Sequence, residues 1–259
     1  MAGRITLITG ASAGIGHELA KVFAAAKYRL ALVARRGDRL QALSEEIVAM
    51  GGERPIVIAC DLQKSDSCQL ITKALQAEQV DVEYLVNNAG FGLFGESRDL
   101  DRVEQLAMTD LNVRALTDLC LCFTEQLIRN RGGILNVASL AGFLPGPRMA
   151  VYYATKAYVL SFSEALHAEL GAKGVRVTTL CPGPVPTEFQ GRAGITPGLD
   201  SAVLSVSANQ VAREGFDGLM AGKRLVLPGV GMKIIPFLLR FVPRGVVLHL
   251  VSRVQGAGR

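Results

Sequence analysis

Short runs of Val, Ile and Leu alternate with longer stretches whose apolar residues recur every third or fourth position, through most of the 259-residue chain. Continuous apolar runs read as strands buried on both faces, and the periodic stretches as amphipathic helices. Ile5–Thr9 is the first strand, and the turn after it opens a helix to about Ala26. Tyr28–Ala34 (YRLALVA) is a second strand, followed by a helix over Asp38–Met50. Pro55–Cys60 is a third strand, with a helix near Ser65–Gln79, and Val82–Asn87 (VEYLVN) a fourth. A long helix with an early break covers Leu100–Asn130. Gly133–Ala138 (GILNVA) is a fifth strand, Tyr152–Gly171 a helix and Val175–Cys181 (VRVTTLC) a sixth strand. Pro182–Ser201, rich in Pro, Gly and Thr, predicts an irregular loop or lid. Asn209–Ala221 predicts a helix and Arg224–Leu227 a last short strand. Strands alternating with helices predict a parallel sheet covered on both faces, because each crossover must pass over a face. The expectation is one doubly wound α/β domain over residues 1–228, with 229–259 as an apolar and basic extension of it.

Composition sharpens this picture only in part. A hydrophobic fraction of 49% and a mean hydropathy of +0.30 suit a well-filled core. The net charge of +5 is a mild excess that attracts anionic cofactors or lipid, or is an ordinary basic surface; without a long basic run it predicts no nucleic-acid groove. Five cysteines, an odd number with no CxxC pair, fit reduced thiols in a cytoplasmic enzyme. His17, His167 and His249 form no metal-binding pattern. The N-terminus reaches a glycine-rich turn too soon for a signal peptide, and no uncharged apolar run is long enough to span a bilayer. Met232–Val254 (MKIIPFLLRFVPRGVVLHLVSRV) mixes apolar residues with Lys233, Arg240, Arg244 and Arg253, and Pro236 and Pro243 forbid one continuous helix. It suits peripheral contact with an anionic membrane, a cover for a substrate pocket, or a subunit interface.

Three clusters carry chemistry. TGASAGIG lies between the first strand and first helix, with Gly10, Gly14 and Gly16 spaced for a tight turn and for backbone amides to meet a phosphate at the helix N-terminus; Ser12 adds a hydroxyl. The second strand ends at Ala34 without an acid and is followed by Arg35 and Arg36. Two guanidinium groups in that place favour a ribose 2′-phosphate, and so NADP(H) with NAD(H) as the alternative, or they simply solvate the helix entry. Asp61 ends the third strand, within reach of an adenine or as a helix cap. Finally, Tyr152 and Lys156 stand four residues apart and share a helix face. An ammonium so placed lowers the phenol's pKa from about 10 and readies it for proton exchange with an alcohol or carbonyl. Ser139 can hydrogen-bond the same substrate oxygen.

With TGASAGIG, NNAG (Asn87–Gly90), Asn112, Ser139, the Tyr152/Lys156 pair and CPGPVPT in this order, the chain closely resembles the short-chain dehydrogenase/reductase family from about Arg4 to Pro228. The resemblance implies a Rossmann-type domain whose catalytic residues are Ser139, Tyr152, Lys156 and Asn112. Asn112 would help form a proton-relay water site, and Lys156 would also bind the nicotinamide ribose. The family reading takes Tyr152 and not Tyr153, since only Tyr152 has Lys156 at the required offset. It further implies cofactor contacts from Gly10, Ser12, Gly14, Ile15 and Gly16, from Asp61 and Leu62, from Asn88, Ala89 and Gly90, and from Pro182, Gly183, Val185 and Thr187. Phe91, Leu93, Phe94, Phe143, Leu144, Pro145, Met149, Phe189 and Ile195 would surround an apolar ketone, aldehyde, acyl thioester or steroid-like substrate, or pack under loops. Leu106 and Met108 read as core or interface residues. The long helix and the Tyr152 helix imply a homodimer or homotetramer. The expected activity is carbonyl–alcohol interconversion by hydride transfer; the competing reading is a catalytically idle nucleotide-binding regulator or membrane-associated scaffold on the same fold.

Overall fold

The computed structural model of the chain describes residues 3–194, 205–229 and 234–256. Among these, seven strands form one sheet: β1 (Gly3–Thr9), β2 (Leu30–Ala34), β3 (Ile56–Ala59), β4 (Val80–Asn87), β5 (Gly133–Val137), β6 (Arg176–Leu180) and β7 (Leu225–Val226). Their spatial order is β3-β2-β1-β4-β5-β6-β7, and every neighbouring pair is parallel. Helices α1 (Gly14–Ala25) and α2 (Gly37–Ala49) cover one face. Helices α3 (Ser67–Ala77), α5 (Leu116–Asn130) and α6 (Ala150–Gly171) cover the other. The doubly wound Rossmann-type domain read from the alternating pattern is therefore the one observed. The strand order reverses between β1 and β4, and a crevice opens there outside the carboxyl ends of the strands.

Side chains alternate along each strand. Ile5 and Leu7 of β1 pack with Phe123 and Val159, whereas Ile8 packs with Leu19 and Phe23. Both layers are apolar, which is why the central strands read as continuous hydrophobic runs. One line of buried amides interrupts them. Asn87 on β4 donates from Nδ2 to Oδ1 of Asn136 on β5 (2.9 Å). Asn136 donates to Ser163 Oγ on α6 (2.9 Å), and Ser163 to the Val159 carbonyl (2.6 Å). Buried polar groups need such partners, so this line ties β4, β5 and α6 in one register just below the crevice.

The structure departs from the sequence expectation in two places. The helix expected over Leu100–Asn130 does not break: α4 (Arg102–Thr109) continues through a π-helical stretch, Asp110–Ala115, into α5. A π turn inserts one residue into the hydrogen-bond ring and shifts the apolar phase, which periodicity registers as a break. Second, the loop expected over Pro182–Ser201 contains a short helix, α7 (Glu188–Ala193). Thr187 caps it, its Oγ1 accepting from the Phe189 amide (3.3 Å), and Gly194 ends it at φ 72°. After α8 (Ala208–Met220), which packs on the α1 side of the sheet, and β7, the extension folds as two helices, α9 (Ile235–Leu239) and α10 (Arg244–Gly256), in keeping with the two prolines that forbid a continuous one. Pro236 lies in the first turn of α9 and Pro243 just before α10, where a missing N–H removes no helical bond. Met108 is buried, whereas Leu106 is exposed. Ile195, Met232 and Lys233 lie outside the described residues.

Asn136→Ala removes two buried hydrogen bonds, leaving Asn87 Nδ2 only the Cys120 sulfur (3.2 Å) and Ser163 only its bond to the Val159 carbonyl. We expect it to lower the unfolding free energy by about 1–3 kcal/mol for the two lost hydrogen bonds, measured by denaturant titration against wild type.

Candidate active site

The site begins where β1 ends. The Thr9 hydroxyl accepts from the backbone amides of Asn88 (3.0 Å) and Ala89 (3.1 Å). The Asn88 side chain donates back to the carbonyls of Thr9 (3.0 Å) and Gly10 (3.2 Å). The ends of β1 and β4 are thus tied together, and the β1–α1 turn is pressed against NNAG. Glycine is required by this closeness. A Cβ on Gly16 would sit 2.3 Å from Asn88 Nδ2 and 2.4 Å from the Gly10 carbonyl oxygen, and Gly10 itself has φ +65° with Ala89 Cα 2.8 Å from a Cβ position. Helix α1 starts here with no side-chain cap and no acid in its first turn. Its unpaired amides and positive dipole end make an anion site, so the residues fit the phosphates of a dinucleotide.

A cavity of about 700 Å³ runs from this turn, with Arg35 and Arg36 at one end and Tyr152 and Phe189 at the other. All the positions named above for cofactor contact line it except Gly16, which lies under the turn. Asn112 stands one layer back, its Oδ1 3.0 Å from a Cβ position on Gly90. Its Oδ1 accepts from the Phe91 amide (3.1 Å), and its Nδ2 donates to the Phe91 carbonyl (2.9 Å) and to Thr155 Oγ1 (3.1 Å). The side chain is therefore spent on holding the loop after β4, which leaves its main chain for any relay role. Asp61 lines the cavity and its Oδ1 accepts from the Gln63 amide (3.1 Å), a local turn and not a cap on α3.

At the other end, Tyr152 and Lys156 of α6 are buried beside Ser139. Lys156 Nζ donates to the Val137 carbonyl (2.8 Å) and lies 5.8 Å from the centre of the Tyr152 ring. The Ser139 hydroxyl accepts from the Ala141 amide (3.1 Å) and leans on the Pro182 carbonyl (3.4 Å). The expected acidic phenol is not what the chain alone produces. Burial pushes Tyr152 up to about 12, with the Ser139 hydrogen bond acting the other way. Burial likewise brings Lys156 down to about 8. Desolvation disfavours both charged forms, and what opposes it at Tyr152 is Ser139, not the lysine that the spacing suggested.

The opposite end is cationic. Arg36 donates to Ser12 Oγ (3.0 Å) and pairs with Glu188 Oε2 (2.8 Å); Arg39 pairs with the other Glu188 oxygen. Arg192 lies over the Phe91 ring, 4.0 Å from its centre. Its pKa is lowered first by burial and then by Arg35, with Arg36 contributing. Glu188, Arg39 and Arg192 were not singled out by the sequence: they reach the site through α7, which the Pro/Gly-rich stretch concealed, and through an outward turn of α2. Of the apolar candidates, Phe91, Leu144, Met149 and Phe189 line the cavity. Leu93 packs beside that wall, Phe94 carries the Arg148 guanidinium at 4.5 Å, and Phe143 packs on the main core. Pro145 lies outside the lining.

A glycine-cradled anion site and a buried Ser–Tyr–Lys group at the switch point of a parallel sheet belong to the Rossmann-type oxidoreductases. The family model for short chain dehydrogenases matches residues 4–196. A sulfoacetaldehyde reductase of Chromohalobacter salexigens is 38% identical over 218 residues, covering 81% of this chain and 85% of that protein. An 11-beta-hydroxysteroid dehydrogenase of Pinus massoniana is 36% identical over 192 residues, 73% of this chain; the match spans 53% of that protein, about half its length. Among solved structures, a short-chain dehydrogenase from Sphingobium yanoikuyae in complex with NADPH is similar with a TM-score of 0.81 and 28% identity over 94% of both chains. A short-chain dehydrogenase/reductase from Burkholderia phymatum in complex with NAD gives 0.80 and 25% over 92% of both. The chain belongs to the short-chain dehydrogenase/reductase family of oxidoreductases.

The buried lysine sets a pH test. Folding lowers the Lys156 pKa from its ordinary 10.5 to about 8, so between these values the unfolded chain holds a proton that the folded chain has released. Stability from this group is therefore depressed below about pH 8 and recovered as pH rises toward 10.5. In nucleotide-free protein, the melting temperature of wild type relative to Lys156→Met should rise from pH 8 to 10; a flat difference would contradict it.

Proposed function

We propose that the protein is an NADP(H)-dependent reductase or dehydrogenase that interconverts an apolar carbonyl and its alcohol. The observation that carries this reading is the pairing of a cationic pocket end, at Arg35, Arg36 and Arg192, with a buried Ser139–Tyr152–Lys156 group at the other. Arg35 and Arg36 would hold the 2′-phosphate, the β1–α1 turn the pyrophosphate, Asp61 and Leu62 the adenine side, and Pro182, Gly183, Val185 and Thr187 the nicotinamide. When bound, the nicotinamide supplies or accepts the hydride.

The chain's own residues do the rest. Ser139 and Tyr152 hydrogen-bond the substrate oxygen and counter the charge that grows there. A phenol near 12 keeps its proton at neutral pH, and that proton passes to the alkoxide as the alcohol forms. Lys156, at about 8 still largely protonated at neutral pH, would then stabilise the phenolate and bind the ribose hydroxyls of the nucleotide. Reprotonation runs through Lys156 and a water held by the Asn112 main chain. Phe91, Leu144, Met149 and Phe189 exclude water from an apolar substrate. Residues 1–228 form the catalytic domain and 229–259 its extension. Exposed Val103, Leu106, Leu121 and Tyr158 on α4, α5 and α6 support a homodimer or tetramer across these helices, in the cytoplasm.

A panel of carbonyls and alcohols, followed by nicotinamide absorbance with NADP(H) and NAD(H), tests the reading; tight NADPH binding without turnover on any member would favour the idle regulator. Tyr152→Phe should lower kcat by about 10²–10⁴-fold while NADPH binding, followed by fluorescence, persists. Lys156→Ala should weaken both turnover and NADPH binding. Because Glu188 competes for the arginines, Glu188→Gln should lower KM for NADPH roughly two- to fivefold, the span of an exposed ion pair, and leave KM for NADH unchanged.

A further inference from the structure

Helix α9 shows solvent the face that a helix normally buries. Ile234, Phe237, Leu238 and Phe241 recur at the spacing of one helical stripe, and Phe237, Leu238 and Phe241 are 58%, 54% and 72% exposed. The rings of Phe237 and Phe241 pack edge to face, 5.3 Å apart. Helix α10 has two adjacent stripes. Val247, Val251 and Gln255 turn toward the body, while Val246, Leu250 and Val254 are left exposed. An uncovered apolar patch of this extent marks a contact surface.

Charge decides what covers it. All 23 acidic residues lie at or before Asp217, while seven of the 28 lysines and arginines lie beyond it. Arg240, Arg244 and Arg253 border the stripes and are exposed. A second copy docked about a twofold axis would set this patch against an identical one, and the helices of both carry arginines with no carboxylate of their own to pair them. An anionic bilayer offers them phosphates and offers the stripes acyl chains, and long arginine side chains reach its headgroups from an apolar footing. Among the described residues no helix is long and apolar enough to cross a membrane, which leaves contact in the plane of the interface.

The same helix reaches the substrate pocket. Gln255 Nε2 donates to the Tyr153 hydroxyl (2.8 Å), and Arg148 donates to the Gln255 carbonyl (2.8 Å). Tyr153 lines the cavity next to Tyr152. We propose that α9 and α10 dock the protein on an anionic membrane surface and, resting on the oxidoreductase reading, that this docking presents the pocket to carbonyl substrates dissolved in the bilayer.

The test is co-sedimentation of the full chain with phosphatidylcholine vesicles, with and without phosphatidylglycerol. Wild type should bind the anionic vesicles at least about tenfold better, weakening with salt. Phe237→Ser/Phe241→Ser and Arg240→Gln/Arg244→Gln should each lose that binding, with circular dichroism unchanged. Turnover of a long-chain carbonyl embedded in anionic vesicles should fall at least about tenfold in the phenylalanine variant, while a short water-soluble carbonyl is reduced as before. Wild type remaining in the supernatant, or variants that still sediment, overturns the docking. A change of oligomeric state in the phenylalanine variant without vesicle binding by wild type assigns the face to a second copy and overturns it too. Equal loss on both carbonyls overturns delivery from the bilayer. If wild type reduces neither carbonyl, the oxidoreductase reading and the delivery proposal fail, and sedimentation still decides the docking.

Discussion

The brace between Thr9 and Asn88 is the contact on which the site depends. One hydroxyl accepts two backbone amides at the end of β4, and one side-chain amide returns two hydrogen bonds to the end of β1. The ladder between β1 and β4 ends at Ile8 and Val86, and this contact carries the pairing one step further, to the point where the glycine turn closes against NNAG. With it, Gly10 and Gly16 have no space for a side chain, the amides at the start of α1 face the crevice, and Gly90 comes beside Asn112 and Lys156. The line from Asn87 through Asn136 to Ser163 extends the same brace to α6, the helix that carries Tyr152 and Lys156.

Burial governs the chemistry inside that frame. Tyr152 and Lys156 lie in a region so poor in water that each is driven toward its neutral form. At the far end the balance is reversed: Arg36 and Arg39 share one carboxylate, Glu188, at the start of α7, and the positive charges of Arg35 and Arg36 act on Arg192. Helix α7 also brings Phe189 to within 5.3 Å of the Tyr152 ring, centre to centre. A single short helix therefore touches both the cationic end of the crevice and its apolar end.

Much of this was legible in the chain. Continuous apolar runs specified a parallel sheet because strands buried on both faces cannot alternate, and the glycines of TGASAGIG, the paired arginines after β2 and the four-residue offset of Tyr152 and Lys156 are local patterns that placed their residues around one crevice. Asn112 was named, but the π turn that carries it showed only as a break in the apolar period, and its side chain proved to be a clamp on Phe91 and Thr155. Met232–Val254 showed its mixture of apolar and basic residues, but composition could not say which of them remain uncovered.

The sequence by itself determined the order of elements, the turn chemistry and the identity of the residues at the strand ends, since these follow from interactions between near neighbours. Only the tertiary structure decided the partners of Glu188, the sign of the pKa shifts at Tyr152 and Lys156, and the exposure of α9 and α10. Each of those depends on which groups from distant segments exclude water from a given point. That is a property of packing in three dimensions, and no local pattern encodes it.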